Sequence, residues 1–411
     1  MKNILFILFL TVFVACKTDS EDKDKSVTIK EDVSFLADDK LEGRQTGSDG
    51  EKLAADYIAG RFENIGLSAK GTKGYLQEFS FKPKTDPHQE VNYTVKDGDS
   101  IITGMNVIGF LNNKAENTII IGAHYDHLGY GAEGSLYRGE TQEIHNGADD
   151  NASGVAVLLN LAEKLKSSNT GNNYLFMAFS GEEMGLLGSN YFTKNPTIDL
   201  TKANYMINMD MVGRLKEDKA LAVYGVGTSP ILKQVVRANN SKFKIIQNES
   251  GIGPSDHTSF YNSDIPVLHF FTGQHEDYHK PGDDTEKLNY EGMETISSYI
   301  YEIISDLDNN GKLPFRKTKN ESEETPRFKV GLGVIPDYLY QGKGMRIDGI
   351  SEDKPAQKAG LQKGDIVIKL GDSLVDDMKA YMRALSTYEK GNRTKVVVKR
   401  GEEEVEADIE F

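Results

Sequence analysis

From Val107 onward the chain alternates short apolar runs with amphipathic helical stretches, and no other feature restricts the fold as strongly. Thr118 to Ala123, Tyr174 to Phe179, Tyr205 to Met209, Ala220 to Tyr224 and Pro266 to Phe271 are apolar runs of strand length. Ser153 to Leu165, Pro230 to Ala238 and Glu291 to Leu307 carry apolar residues at helical spacing. Such alternation covers both faces of a sheet with helices, so it predicts an α/β fold, a three-layer sandwich around a mixed, mostly parallel sheet. An earlier helix is predicted over Gly50 to Gly66, with Leu53, Ala54, Tyr57, Ile58, Phe62 and Ile65 at helical spacing and a glycine at its end.

At 411 residues the chain has room for two or three domains of ~150 residues each. The stretch 309–327 is polar, charged and aperiodic and reads as a linker between a large domain, 30–308, and a smaller one, 328–411. The smaller domain ends on the strand-like alternation of Thr394 to Val398 and Val405 to Phe411. The formal charge, 48 − 63 = −15, leaves no basic footprint for nucleic acid.

The amino terminus reads as an export signal. Met1-Lys2 precedes an apolar run from Ile4 to Ala15, too short for an ordinary membrane span, which ends at small residues. Cys16 is the single cysteine, so a disulfide scaffold and a cysteine-rich zinc site are both ruled out. Its place resembles that of the lipid-modified cysteine of bacterial lipoproteins, with 1–16 as the signal segment and 17–29 as a tether. An ordinary secretory signal is the alternative. Both readings place the working protein outside the cytoplasm, and the first anchors it at the periplasmic or outer face of the cell envelope.

Reactive side chains gather where the predicted strands end. The run Ile119-Ile120-Ile121 leads to His124, Asp126 and His127, and Asn146 to Gly154 contains Asp149-Asp150-Asn151 before a helix. The second strand ends in Ser180-Gly181-Glu182-Glu183, the third in Asp210, and Tyr278-His279 follows the last. Ligands of open α/β sheets bind beyond the carboxyl ends of the strands, so these five segments are expected to share one cleft. Imidazole and carboxylate donors suit zinc. Two histidines with three carboxylates exceed the needs of one tetrahedral ion, whereas two ions sharing a carboxylate use all five and hold a water between them. The spare carboxylate of Glu182-Glu183 then serves as the base. Taken singly the pieces are bland: a histidine after a strand is commonly structural, adjacent glutamates are commonly solvated, and Asp149-Asp150-Asn151 could cap a helix. Asp210, between methionines in an apolar strand, needs a cation or strong hydrogen bonds.

The segments GAHYDHLG, NGADDNASG, FSGEEMGLLGS, INMDMVGR, PSDHTSF and YHKPGDD resemble the zinc aminopeptidases of peptidase family M28, as does the opening FLADDKLEGRQTGSDGEKLAADYIAGRF. The resemblance covers about residues 30–310 and implies the zinc exopeptidase type of sandwich with two zinc ions. It implies that His124 and Asp210 hold one zinc, Glu183 and His279 the other, and that Asp150 bridges them. Glu182 becomes the general base, Tyr278 the donor to the oxyanion, and Asp126 the outer carboxylate that orients a ligand imidazole. Ser255-Asp256-His257 matches a segment near the substrate pocket, or is simply a turn before a helix at Ser259. His127 and His145 read as bystanders, and His88, His269 and His275 carry no signal.

In the smaller domain, Gly331-Leu332-Gly333-Val334, the stretch from Ser351 through Pro355-Ala356 to Gly360-Leu361, and Gly364-Asp365-Ile366-Val367 together resemble a PDZ domain, small and mainly β. The resemblance implies that Gly331 to Val334 receive the carboxylate of a peptide end, although a module that only packs on its neighbour fits too. The expected function is removal of N-terminal residues from peptides. A carboxypeptidase or a glutaminyl cyclotransferase at the same site, or a receptor without catalysis, are the rivals.

Overall fold

The computed structural model describes residues 27–83, 93–96, 98–131, 134–168, 170–319, 329–351 and 353–411. The signal segment, Cys16, most of the tether and the linker from 320 to 327 lie outside these residues.

The large domain is built on β1 (Ser68–Ala69), β2 (Leu76–Phe81), β3 (Ile102–Leu111), β4 (Thr118–His124), β5 (Asn173–Phe179), β6 (Ala203–Met209), β7 (Ala220–Tyr224), β8 (Lys244–Gln247) and β9 (Val267–Phe271). They form one mixed sheet in the order β1-β3-β5-β4-β6-β9-β7-β8, with β2 on β3. The central strands β5, β4, β6 and β9 run parallel, so their carboxyl ends open on the same edge.

Alternating side chains of these strands serve two cores, which makes the sandwich three-layered. Ile119 and Ile121 face α1 (Ile29–Leu36), α2 (Asp49–Ile65), α3 (Gly154–Leu165) and, later in the chain, the long helix over 290–307, whereas Ile120, between them, faces the opposite layer. That layer holds α4 (Leu187–Lys194), while α5 (Leu232–Ala238) joins the first. The remaining helices of the domain are α6 (His257–Tyr261) and α7 (Tyr290–Leu307). Helix α2 starts at Ser48, whose hydroxyl accepts the Glu51 amide, and stops at Gly66, whose φ of 90° a side chain would oppose. Helix α1 was not among the predicted elements. It is short, but Thr28 and Glu31 close a reciprocal cap at its start.

The expected linker is laid along the large domain as far as it is described. Leu313 is buried in the main core, and the Arg316 amide donates to the Thr228 carbonyl.

The small domain is a second sheet of β10 (Val334–Pro336), β11 (Met345–Ile350), β12 (Ile366–Leu370), β13 (Ser373–Leu374), β14 (Arg393–Arg400) and β15 (Glu403–Glu410), with α8 (Pro355–Lys358) and α9 (Met378–Leu385). It has its own core around Ile347, Val367, Leu385 and Val396. Among the described residues no helix is long and apolar enough to cross a membrane.

Candidate metal centre

The five segments converge beyond the carboxyl ends of β4, β5, β6 and β9. Asp150 stands at the middle: one carboxylate oxygen lies 3.3 Å from His124 Nε2 and the other 3.3 Å from His279 Nε2. Asp210 approaches His124 Nε2 at 3.4 Å, and Glu183 approaches His279 Nε2 at 3.2 Å. Donor atoms of His124, Glu182 and Asp210 form one tight group, and those of His127, Asp150 and Glu183 form another.

Each side chain is held by its neighbours. His279 Nδ1 is 2.9 Å from the Gly134 carbonyl, which fixes that nitrogen as the donor and leaves Nε2 for the cluster. His124 Nδ1 lies 3.2 Å from the Asp126 carbonyl, closer than the 3.7 Å to its carboxylate. The carboxylate of Asp126, expected to orient an imidazole, chiefly accepts Thr46 Oγ1 at 3.0 Å and the Glu182 amide at 3.1 Å. It thus sets the turn carrying the paired glutamates.

The turn before α3 is tied down just as closely. Asp283 accepts the amides of Asp149 and Asp150, both at 3.0 Å, and Asn151 Nδ2 donates to the Met209 carbonyl at the end of β6. A side chain at Gly147 would bring its Cβ within 2.2 Å of the Asp150 carbonyl oxygen, so this loop requires glycine. Asp149 turns away from the cluster, accepting the Gly213 amide at 2.6 Å and facing His275 Nε2 at 3.2 Å. Arg44 is buried beneath these loops and donates to four carbonyls, those of Tyr125, Leu36, Asn146 and Gly147. Burial lowers its pKa to about 10, against the opposing pull of Asp126 and Asp150. It therefore stays cationic at neutral pH.

The electrostatics ask for cations. Burial opposes protonation of His124 and His279, yet Glu182 and Asp210 beside the first and Glu183 and Asp150 beside the second outweigh it, raising His279 to about 11. So many buried carboxylates require positive charge, and divalent ions supply it while neutral imidazoles serve as donors. The two oxygens of Asp150, directed to two histidines, fit a carboxylate shared by two ions.

The paired glutamates are driven apart. Burial pushes Glu182 well above the usual carboxylate range, with Asp210 and Glu183 adding to the effect and His124 opposing it. For Glu183 burial is outweighed by His279 and His127, which hold it down to about 2. The two neighbouring carboxyls are thus shifted in opposite directions. Tyr278 stacks on His279 with ring centroids 3.8 Å apart, and burial together with the cluster's carboxylates keeps its hydroxyl protonated.

Of the histidines set aside on sequence grounds, His127 and His275 prove to be paired with carboxylates. His127 is no bystander: its Nδ1 is 2.8 Å from Glu183 Oε1, while His279 Nε2 approaches the other carboxylate oxygen. His275 pairs with Asp149. His145 is tied to Ser135 and the Glu143 carbonyl, outside the cluster. The segment Ser255-Asp256-His257 lies directly behind the site. Ser255 accepts from Asn208 Nδ2 at 2.8 Å, Asp256 is buried with its pKa pushed up to about 7 by burial, and His257 stacks on His269 at 4.4 Å. No signal in the one sequence could have found the partners of His127 and His275, because each lies far along the chain.

A cavity of about 430 Å³ opens over the cluster. Its wall combines the polar groups of Asp150, Glu182, Glu183, Asp210, Tyr278 and His279 with the apolar side chains of Met211, Tyr224, Ile252, Phe271 and Tyr338. Such a mixed lining suits a substrate with a charged or polar reacting end and a variable side chain.

Residues 106–304 match the model of peptidase family M28, and residues 316–411 match that of the PDZ domain. The chain is 31% identical over 198 residues to the alkaline phosphatase isozyme conversion protein of Escherichia coli, covering 47% of this chain and 53% of that protein. It is 29% identical over 221 residues to aminopeptidase YwaD of Bacillus subtilis, 49% of this chain and 45% of the relative. The chain thus spans about half the length of these curated relatives. In fold it resembles BSAP, a zinc aminopeptidase from Bacillus subtilis, with a TM-score of 0.53 at 18% identity over 71% of this chain and 96% of the other. It likewise resembles a glutaminyl cyclase of Bacteroides thetaiotaomicron, with a TM-score of 0.55 at 17% identity over 68% of this chain and 97% of the other.

Proposed function

With residues 106–304 matching the model of peptidase family M28 and residues 316–411 that of the PDZ domain, we propose that the chain is a di-zinc aminopeptidase that removes N-terminal residues from peptides. Asp150, with one oxygen directed at His124 and the other at His279, is the observation that carries the reading. His124 and Asp210 would hold one ion, Glu183 and His279 the other, with Asp150 shared. Bound zinc supplies Lewis acidity and makes a water nucleophilic at neutral pH.

The chain's own residues do the rest. Glu182, whose pKa burial raises, takes the proton of the attacking water and delivers it to the leaving amine. The Tyr278 hydroxyl donates to the carbonyl oxygen as negative charge grows there. The carboxylates around Asp150 and Asp210 favour the cationic amine of a free peptide N-terminus, and the apolar side chains lining the cavity receive the first side chain. His127, hydrogen-bonded to Glu183, holds that carboxylate in place.

The test is mass spectrometry of a defined peptide mixture incubated with the zinc-loaded chain, with a chelator, and with Glu182→Gln. Stepwise loss of N-terminal residues is expected from the first alone, with Glu182→Gln keeping its zinc but losing about 10²–10⁴-fold in rate. The fold likeness to a glutaminyl cyclase favours one second reading, which loss of ammonia from peptides beginning with glutamine would establish. Loss from the C-terminus would mean a carboxypeptidase, and no change at all a receptor.

Two further parts of the reading belong to the flanks. Export with lipid attachment at Cys16 predicts incorporation of labelled fatty acid that Cys16→Ser abolishes. Peptide capture by Gly331 to Val334 predicts that a C-terminal peptide library yields ligands. Leu332 in that loop is buried, with the Tyr381 hydroxyl against its amide, so an entering carboxylate has to displace that contact.

A further inference from the structure

The PDZ domain is not confined to its own surface. Its segment between β10 and β11 reaches across to the β7–β9 side of the large sheet, where Leu339 is buried against Ala220 and Ala222 with Tyr224 and Phe271 alongside. A Cβ on Gly273 would come within 3.0 Å of Leu339, so the bend after β9 is shaped to receive it. Asp337 accepts the Leu339 amide at 2.9 Å and pairs with Arg346, which fixes the reaching segment from within. Lys216 meets Asp348 at 2.5 Å and Lys363 meets Glu276 at 3.6 Å, so the contact has charged pairs around its apolar knob.

Tyr338, beside that knob, stands in the wall of the cavity over the metal centre. A second cavity of about 320 Å³ is lined by Met378, Lys379 and Met382 on α9 and shares Tyr224, Asn248 and Tyr338 with the first. The two cavities thus meet at Tyr224, Asn248 and Tyr338, of which Tyr338 alone comes from the small domain.

We propose that Tyr338 is a specificity-determining residue: a side chain of the PDZ domain closes the pocket for the substrate's N-terminal side chain and limits its size. This rests on the aminopeptidase reading. A peptide whose amine and first carbonyl lie among Asp150, Glu182, Asp210 and Tyr278 places its first side chain, one bond away, against the apolar side chains that line the same cavity. Those side chains are Met211, Tyr224, Ile252 and Phe271 from the large domain and Tyr338 from the small one. Shortening Tyr338 joins the two cavities and admits larger groups. Excess volume for a small side chain loses contacts and gains nothing, so preference shifts from small to large.

The experiment measures kcat/KM of the full-length zinc-loaded chain on anilides of alanine, leucine, phenylalanine and tryptophan. Tyr338→Ala is expected to raise the tryptophan-to-alanine ratio at least tenfold and Tyr338→Leu to raise it by less. Tyr338→Phe, which keeps the ring, leaves it within twofold. Melting temperatures identify any variant that fails to fold, and the leucine variant carries the test if the alanine one does. An unchanged ratio in folded Tyr338→Ala or Tyr338→Leu overturns the proposal while leaving the aminopeptidase reading intact. Absence of any turnover by the wild type instead overturns the reading beneath it.

Discussion

Replacing Arg44 by methionine tests whether the loops of the metal centre hang on one buried cation. The guanidinium is the donor to four main-chain carbonyls, those of Tyr125 at 2.7 Å, Leu36 at 2.5 Å, Asn146 at 2.7 Å and Gly147 at 3.0 Å. Methionine fills similar space but donates nothing, and the side chain is fully buried, so water has no ready access. An orphaned buried acceptor costs about 1–3 kcal/mol, and four at the lower end give about 4 kcal/mol. For a domain of about 280 residues, with an unfolding entropy of about 2 cal/mol/K per residue, that corresponds to a fall in melting temperature of about 7 °C. Because Asn146 and Gly147 lead into Asp150, the variant is also expected to hold zinc less tightly. Calorimetry in chelator and in excess zinc, with a chromophoric chelator in competition, measures both effects. Arg44→Lys, with three donors and a different reach, falls between. A drop of less than about 3 °C for Arg44→Met would falsify the reasoning, since it means the carbonyls find other partners at little cost.

Other consequences follow from buried charges elsewhere. Glu51 accepts from Ser180 and from the Gly47 amide, yet burial raises its pKa from 4.5 to about 7. The unfolded chain therefore ionises first as pH rises: the stabilisation is complete below about pH 4.5 and lost by about pH 7, a change of about 3 kcal/mol. Denaturant titrations across that window should show Glu51→Gln gaining relative to wild type as pH rises, and parallel curves would refute the assignment. Asp32 and Arg61 form a buried pair at 2.7 Å, with Glu163 as a second partner of the arginine at 2.8 Å. Asp32→Ala should cost about 3 kcal/mol, the lower end for a broken buried pair, and the double change to Asp32→Leu and Arg61→Met should recover much of it.

Much of the fold was legible because it rests on short-range periodicity. The runs at 118–123, 174–179 and 205–209 are strands in the structure because apolar residues on both faces meet helices on both sides. The edge of the sheet was harder to read. β2 and the first half of β3 mix buried with exposed residues, so their pattern differs little from that of a loop. The helix predicted from Ser153 starts at Gly154, preceded by an irregular turn over Ala148–Ser153. There Asp283, from far along the chain, accepts amides that a regular helix would have left for a cap.

By itself the sequence determined which side chains could bind metal and where on the sheet they would emerge, because residue type is chemistry and strand ends are local. Only the tertiary structure decided how they are shared. It turned Asp149 toward His275 and Asp150 toward two histidines, set His127 against Glu183, and used the Asp126 carboxylate on the glutamate turn. It also carried Tyr338 from a different domain into the cavity wall. These choices rest on contacts between residues dozens to more than a hundred positions apart, whose geometry is fixed by packing, and packing leaves no periodic trace in the chain.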